Sequence, residues 1–329
     1  MTAWSPDLHR NGRFAREVHA GLTGPGQKQI PCEYLYDDVG TALFEAITHL
    51  PEYGLTRAER RLLERHSAEV LECIAHPALV AELGSGNGKK TRLLLEALSG
   101  RGALDYRPID VSAQALLECR KGLSDLDGVD VRGVQAPFLD GLSSALAERR
   151  AGQNALVLFL GSTIGNFDRA EAQGFLSSIR GALAAGDALM LGADLEKPVA
   201  DMLLAYDDPA GVTAAFNLNV LGRINRELGG EFDLKRFSHR AIYNERERRI
   251  EMHIVSAARQ TVPIRAADVE AAFEKGETIW TESCHKFSAS ELDNMASRSG
   301  FVPAAQWIDE RWPFALSLWV VEGRRSAGE

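Results

Sequence analysis

The chain has 329 residues, 45% hydrophobic and 25% charged, which is ample for a sizeable core in one large domain or two. A net charge of −9 argues against non-specific nucleic-acid binding, because nothing offsets phosphate repulsion. No apolar run approaches a bilayer-spanning length, and the N-terminal "MTAWSPDLHRNGRFAREVHAG" has no apolar segment of the kind a secretory leader needs.

The first fifty-odd residues show no alternation of strand and helix patterns. From there the text alternates. "RAERRLLERHSAEVLECIA" has apolar residues at helical spacing, and "LVAELG" is a short buried strand. "KKTRLLLEAL" predicts a helix, "YRPIDV" a strand, "SAQALLECRKGL" a helix, "VDVRGVQA" a strand and "LDGLSSALAER" a helix. "ALVLFLG", "RAEAQGFLSSIRGAL" and "DALMLGAD" continue the series as strand, helix and strand. This pitch implies an α/β fold: a parallel Rossmann-like sheet with right-handed crossovers and helices on both faces.

The pattern breaks after Asp194. "KPVADMLLAYDDPAGVTAAFNLNVLGRINRELGG" reads as helix interrupted at Asp-Asp-Pro, and "RAIYNERERRIEMHIVSAARQTV" as an antiparallel strand pair around a charged turn. "FALSLWVVEG" returns to the sheet core. The expected organisation is a core of 58–195 and 287–329, with an α+β lobe of 1–57 and 196–286. Cys32, Cys73, Cys119 and Cys284 are scattered without a C-x-x-C pair, and no histidines fall at ligand spacing. Neither a metal site nor a disulfide framework is expected, and reduced thiols fit a cytoplasmic protein.

"VAELGSGNGKKTR" places Gly84, Ser85 and Gly86 between the first strand and a helix, where glycines let the backbone turn and approach a ligand. Asp110 ends the next strand about two dozen residues on, where an acidic group can accept ribose hydroxyls. The loop has Glu82 ahead of it and no third glycine at the dinucleotide spacing. That fits S-adenosylmethionine, which has no pyrophosphate needing a helix N-terminus, with Glu82 facing the amine-bearing end of the cofactor. A nicotinamide-dependent dehydrogenase and a non-catalytic cofactor sensor are the competing readings. The stretch "ALVLFLGSTIGNF" ends a core strand by presenting Asn166 at its carboxyl end, the edge where ligands sit in such sheets. Asn166 reads equally as a turn-former on residue type alone.

Six stretches in order, "YDDVGTALFEAIT.LPEY", "ELGSG…KTR", "FLGSTIGN", "AYDDPAGVTAAFN.NVL..INRELGG.FD", "RIEMH" and "TE..HKF", carry a resemblance over nearly the whole chain. It resembles the L-histidine Nα-methyltransferases of ergothioneine biosynthesis, which convert histidine to its trimethylammonium betaine with S-adenosylmethionine. The resemblance implies a methyltransferase core with a family-specific substrate domain, and a small-molecule amino-acid substrate. It implies cofactor contacts at Gly84, Gly86, Lys90 and Asp110, with Phe138 beside the adenine. It also implies Asn166 and Tyr206 on the substrate's amino and carboxylate groups, Gly161 lining the same site, and Tyr36, Tyr53, Met252 and Glu282 around the substrate. Tyr53 and Glu282 fall on the imidazole side.

Three positions depart from the family. Pro137 stands where an acidic residue usually meets the adenine amine. Gly54 replaces a second tyrosine. Cys284 replaces a serine that helps bind imidazole, which leaves the same reaction on another amino acid as the alternative. The chemistry needs positioning groups, Asn166 and Tyr206, and no obligatory catalytic base. The working form is expected to be a monomer with no nucleic-acid or membrane partner.

Overall fold

The computed structural model describes residues 6–323; residues 1–5, part of the N-terminal stretch read above for a leader, and 324–329 lie outside it. The chain forms two compact units, one running to Gly54 and resuming over Lys197–His285, the other Leu55–Glu196 with Lys286 onward.

The larger unit is built on an eight-stranded sheet. Its order is Val302–Asp309, Phe314–Val320, Ala188–Asp194, Ala155–Phe159, Leu79–Leu83, Leu104–Asp110, Val129–Val131, with Val134–Gln135 also paired to Leu104–Asp110. Neighbours from Ala188–Asp194 through Val129–Val131 run parallel. Phe314–Val320 lies antiparallel between Ala188–Asp194 and Val302–Asp309. Leu79–Leu83, Ala155–Phe159 and Ala188–Asp194 are buried at every residue, as expected of strands covered on both faces. Helix starts follow local chemistry. The Ser112 side chain caps Ala113–Gly122, and Asp168 with Glu171 forms a capping box at Arg169–Ala182.

Local details differ from the sequence reading. The long helix expected after residue 57 is two, Leu55–His66 and Val70–Cys73. They part just after the Ser67 hydroxyl bonds back to the Leu63 carbonyl, a local competitor of helix continuation. "VDVRGVQA" is two short strands on one neighbour. The edge strand Val302–Asp309 carries no buried alternation to announce it, with all but its last residue exposed or half-buried.

The smaller unit has a four-stranded sheet, Lys28–Gln29, Thr278–His285, Arg249–Ser256 and Phe237–Asn244, and a separate hairpin of Gln260–Ile264 with Val269–Phe273. Its helices include Asp38–Thr48, Val199–Tyr206 and Val212–Leu228. Arg249–Ser256 and Phe237–Asn244 are the antiparallel pair expected around "NERE". The Thr278–His285 strand shifts register between Trp280 and Glu282, leaving Thr281 as the extra residue. Such a bulge re-aims the side chains beyond it. No helix among the described residues is long and apolar enough to cross a membrane.

Candidate active site

Strand Leu79–Leu83 opens into the glycine loop at the carboxyl edge of the sheet. The Gly84 amide donates to the Ile109 carbonyl at 2.8 Å, tying the loop to the strand that carries Asp110. One Asp110 oxygen accepts from the Gly86 amide at 3.1 Å and the other from the Ser112 amide at 2.9 Å. Asp110 therefore shapes the loop, and each oxygen keeps a lone pair for a hydroxyl. Gly86 has φ +54° and a Cβ there would meet nothing within 4 Å, so the loop borders open space. Ser85 Oγ is buried without a hydrogen-bond partner among the described residues. A polar atom left so needs an explanation, and a polar ligand at the loop supplies one. These observations fit a nucleoside cofactor.

The Phe138 ring lies against Gly84, where an added Cβ would stand 3.4 Å away, and packs edge-on to Phe159 at 5.6 Å between centroids. Pro137 precedes helix Phe138–Ala147 as its N-cap and makes no side-chain cap; Asp140 sits in the first turn.

Glu82 lies on strand Leu79–Leu83, just ahead of the loop. It is fully buried, and its carboxylate accepts from the Thr91 hydroxyl at 2.8 and 2.7 Å and from the Tyr106 hydroxyl. Burial pushes its pKa up to about 7, against the lowering effects of Tyr106, Lys90 and Thr91. A carboxyl turned inward and bonded on both oxygens staples the loop's helix to two strands. Thr91 stands at the start of helix Thr91–Ser99, so its hydroxyl ties Glu82 to the helix that follows the loop.

Strand Ala155–Phe159 ends in two left-handed residues, Gly161 at φ +77° and Ser162 at φ +58°. Ser162 holds that unusual geometry by accepting the Asp194 amide at 2.9 Å. The short helix Thr163–Asn166 follows and ends at the half-buried Asn166.

In the smaller unit the sequence-distant Tyr36, Tyr53, Tyr206, Met252, Glu282 and Cys284 come together. Met252 pairs with Glu282 across the sheet, two residues before Cys284. The Tyr36 hydroxyl donates to Glu282 at 3.2 Å. Burial and the Glu282 charge hold the Tyr36 phenol well above its usual range, so it remains a donor. The Tyr36 ring packs edge-on to Phe44 at 5.5 Å and Phe216 at 5.3 Å, and Tyr53 meets Tyr206 at 6.1 Å. The Tyr206 hydroxyl donates to Cys284 Sγ at 2.7 Å. A carboxylate set among aromatic rings suits a flat group bearing N–H donors or a cation.

Sequence reasoning missed the support of this cluster. The His239 Nε2 lies 2.7 Å from the Tyr206 carbonyl and its Nδ1 2.9 Å from Asn217 Nδ2. A carbonyl only accepts, so Nε2 carries the proton and Nδ1 accepts from the amide. Burial holds His239 below its usual pKa, consistent with that neutral form. Asn217 Oδ1 then accepts from the Thr281 hydroxyl at 2.6 Å, which anchors the bulge preceding Glu282. Phe44 and Phe216 were missed for the same reason: residue type and spacing mark them as ordinary core.

A doubly wound sheet with a glycine loop after its first strand and Asp110 at the end of its second is an arrangement of nucleoside-cofactor enzymes, S-adenosylmethionine-dependent methyltransferases among them. The comparisons make the class particular. A family model described as "Histidine-specific methyltransferase, SAM-dependent" matches residues 14–321. The chain is 42% identical over 305 residues to a histidine N-alpha-methyltransferase of Mycobacterium tuberculosis, covering 92% of this chain and 93% of that one. It is 41% identical to the protein of the same name from Mycolicibacterium smegmatis, with the same coverage. It is 31% identical to ergothioneine biosynthesis protein 1 of Neurospora crassa, over 86% of this chain and 32% of that one. The chain belongs to the histidine-specific, S-adenosylmethionine-dependent methyltransferase family.

Proposed function

We propose that this enzyme methylates the α-amino group of free L-histidine, up to the trimethyl betaine, with S-adenosylmethionine as donor. The observation that carries the substrate reading is Glu282 bonded by Tyr36 within the Tyr36–Phe44–Phe216 and Tyr53–Tyr206 ring contacts. Glu282 accepts an imidazole N–H, and the rings flank its flat face. Family membership supports the same substrate. Asp110 holds the ribose, Gly84, Ser85 and Gly86 form the loop under the cofactor, and Phe138 walls the adenine, with Pro137 and the adjoining backbone beside it. Lys90 takes the methionine end, and Gly161 lines the substrate's amino and carboxylate side.

The bound cofactor supplies a methyl group already activated on a sulfonium. The chain's own residues supply position and dryness. Asn166 and Tyr206 hold the substrate's amine and carboxylate, the Tyr206 hydroxyl turning its one proton from Cys284 Sγ to the carboxylate, while Met252 and the aromatic rings keep the environment apolar. Only the unprotonated amine is nucleophilic, and a partly desolvated amine loses its proton more easily. No side chain need act as a base.

The same reading takes the working enzyme as a cytoplasmic monomer acting on a small molecule, without nucleic acid or membrane. Four free thiols and a net charge of −9 support it. The test is a panel of the twenty amino acids with isotopically labelled methyl donor, read by mass. Histidine should gain up to three methyl groups; a non-imidazole amino acid labelled in preference would show that Cys284 belongs to a pocket rebuilt for another side chain.

A further inference from the structure

Glu59 has no part in the roles assigned above. It lies on helix Leu55–His66, 1% exposed. One carboxylate oxygen accepts from Lys90 Nζ at 2.6 Å, and the other from the Gly161 amide at 2.6 Å. Strand Ala188–Asp194 makes room for it: a Cβ at Gly192 would overlap the oxygen that holds Gly161. A buried carboxylate is tolerated only when its charge is paired and its oxygens are bonded. Here the partners come from two different loops of the sheet's carboxyl edge, one beside the glycine loop and one at the end of strand Ala155–Phe159.

We propose that Glu59 is the positioning residue for the amino-acid end of the cofactor. It fixes the Lys90 ammonium and the Gly161 backbone in one frame. Lys90 is a flexible side chain with three donors, and its side chain remains 27% exposed. Committing one donor to Glu59 aims the others outward, pre-organised for the carboxylate of the methionine moiety. A Cβ on Gly161 would stand 3.1 Å from Lys90 Nζ, so the glycine leaves that ammonium its place. The inference rests on the reading that Lys90 meets the cofactor.

The test uses calorimetry on the full-length enzyme with two probes. S-adenosylhomocysteine carries the amino-acid end; methylthioadenosine lacks it. Glu59→Gln keeps an acceptor for Gly161 and removes the ion pair with Lys90. It should weaken S-adenosylhomocysteine by about tenfold or more, as for loss of an aligned charge-assisted hydrogen bond, and leave methylthioadenosine within about twofold. Glu59→Asp, which keeps the charge on a shorter arm, should show the same split with a smaller loss, and stands in if the glutamine variant does not fold. Lys90→Met should reproduce the split, and adding Glu59→Gln to it should cost little more. Equal weakening of both probes by the Glu59 variants would reduce Glu59 to fold support and overturn the proposal, as would no effect on either. If Lys90→Met leaves S-adenosylhomocysteine unaffected, the Lys90 reading fails whatever Glu59 does.

Discussion

Two glutamates show how differently the two regions are made. Glu82 lies on the strand that opens into the glycine loop of the larger unit and Glu282 on the bulged strand of the smaller. Both are more than nine-tenths buried. Glu82 is bonded by Thr91 and Tyr106, with its pKa raised to about 7. Glu282 is bonded by the phenol of Tyr36, itself set between Phe44 and Phe216. Around the glycine loop the chain is shaped by backbone geometry, with side chains such as Asp110 and Glu82 holding it in place. In the smaller unit the sheet brings distant side chains together around Glu282.

The largest effect is expected at Asp110, which holds the loop and, on the proposed reading, the ribose. Asp110→Ala removes the acceptor for Gly86 and, on the proposed reading, two charge-assisted bonds to the cofactor, each worth about 1.5–3 kcal/mol. Calorimetry should show S-adenosylhomocysteine weakened by about a hundredfold or more. An unchanged affinity would place the cofactor elsewhere.

A smaller effect sharpens the Glu82 side. A carboxyl whose folded pKa is raised holds a proton in the native state that the unfolded chain has already released. Stability therefore falls as pH rises from the ordinary carboxylate value of 4.5 toward about 7, and this contribution levels off above that. Glu82→Gln has no such group. Across pH 5 to 8, urea melts should show the variant gaining on the wild type, by at most about 1.4 kcal/mol per pH unit. Stability curves that stay parallel would mean that Glu82 is ionised throughout.

The smallest effect is expected at Cys284. A thiol is a weak donor and acceptor, and here it takes the Tyr206 hydroxyl. Serine bonds both Tyr206 and an imidazole nitrogen better, so Cys284→Ser should tighten histidine by about two- to tenfold, the worth of one neutral hydrogen bond. A KM for histidine that stays put or rises would make the thiol itself part of the fit.

The fold was legible because its signals are local. Apolar runs such as "ALVLFLG" and "DALMLGAD", separated by amphipathic helices, announce buried parallel strands. The terminal antiparallel hairpin was half visible: Phe314–Val320 is apolar but for Ser317 and buried at all but its last residue, whereas Val302–Asp309 is an edge strand with little to bury. In the glycine loop, residue types required by backbone geometry were readable, but Glu82 could not be oriented. Which way it turns depends on Tyr106, a strand away. The substrate cluster was reached through the family resemblance, since lone tyrosines and Met252 read as core by residue type. The His239–Asn217–Thr281 chain left no signal at all, being a set of polar residues distant in sequence whose meaning lies in their mutual hydrogen bonds.

The central claim is that Glu282 reads the imidazole of histidine. The most direct measurement is kcat/KM for histidine against phenylalanine, in the wild type and in Glu282→Ala, alongside S-adenosylhomocysteine affinity as a control. The wild type should strongly prefer histidine. The variant should lose about ten- to a hundredfold on histidine, the range for a hydrogen bond to a charged group. It should keep its activity on phenylalanine and its affinity for S-adenosylhomocysteine. A variant that retains the full preference for histidine would contradict the account.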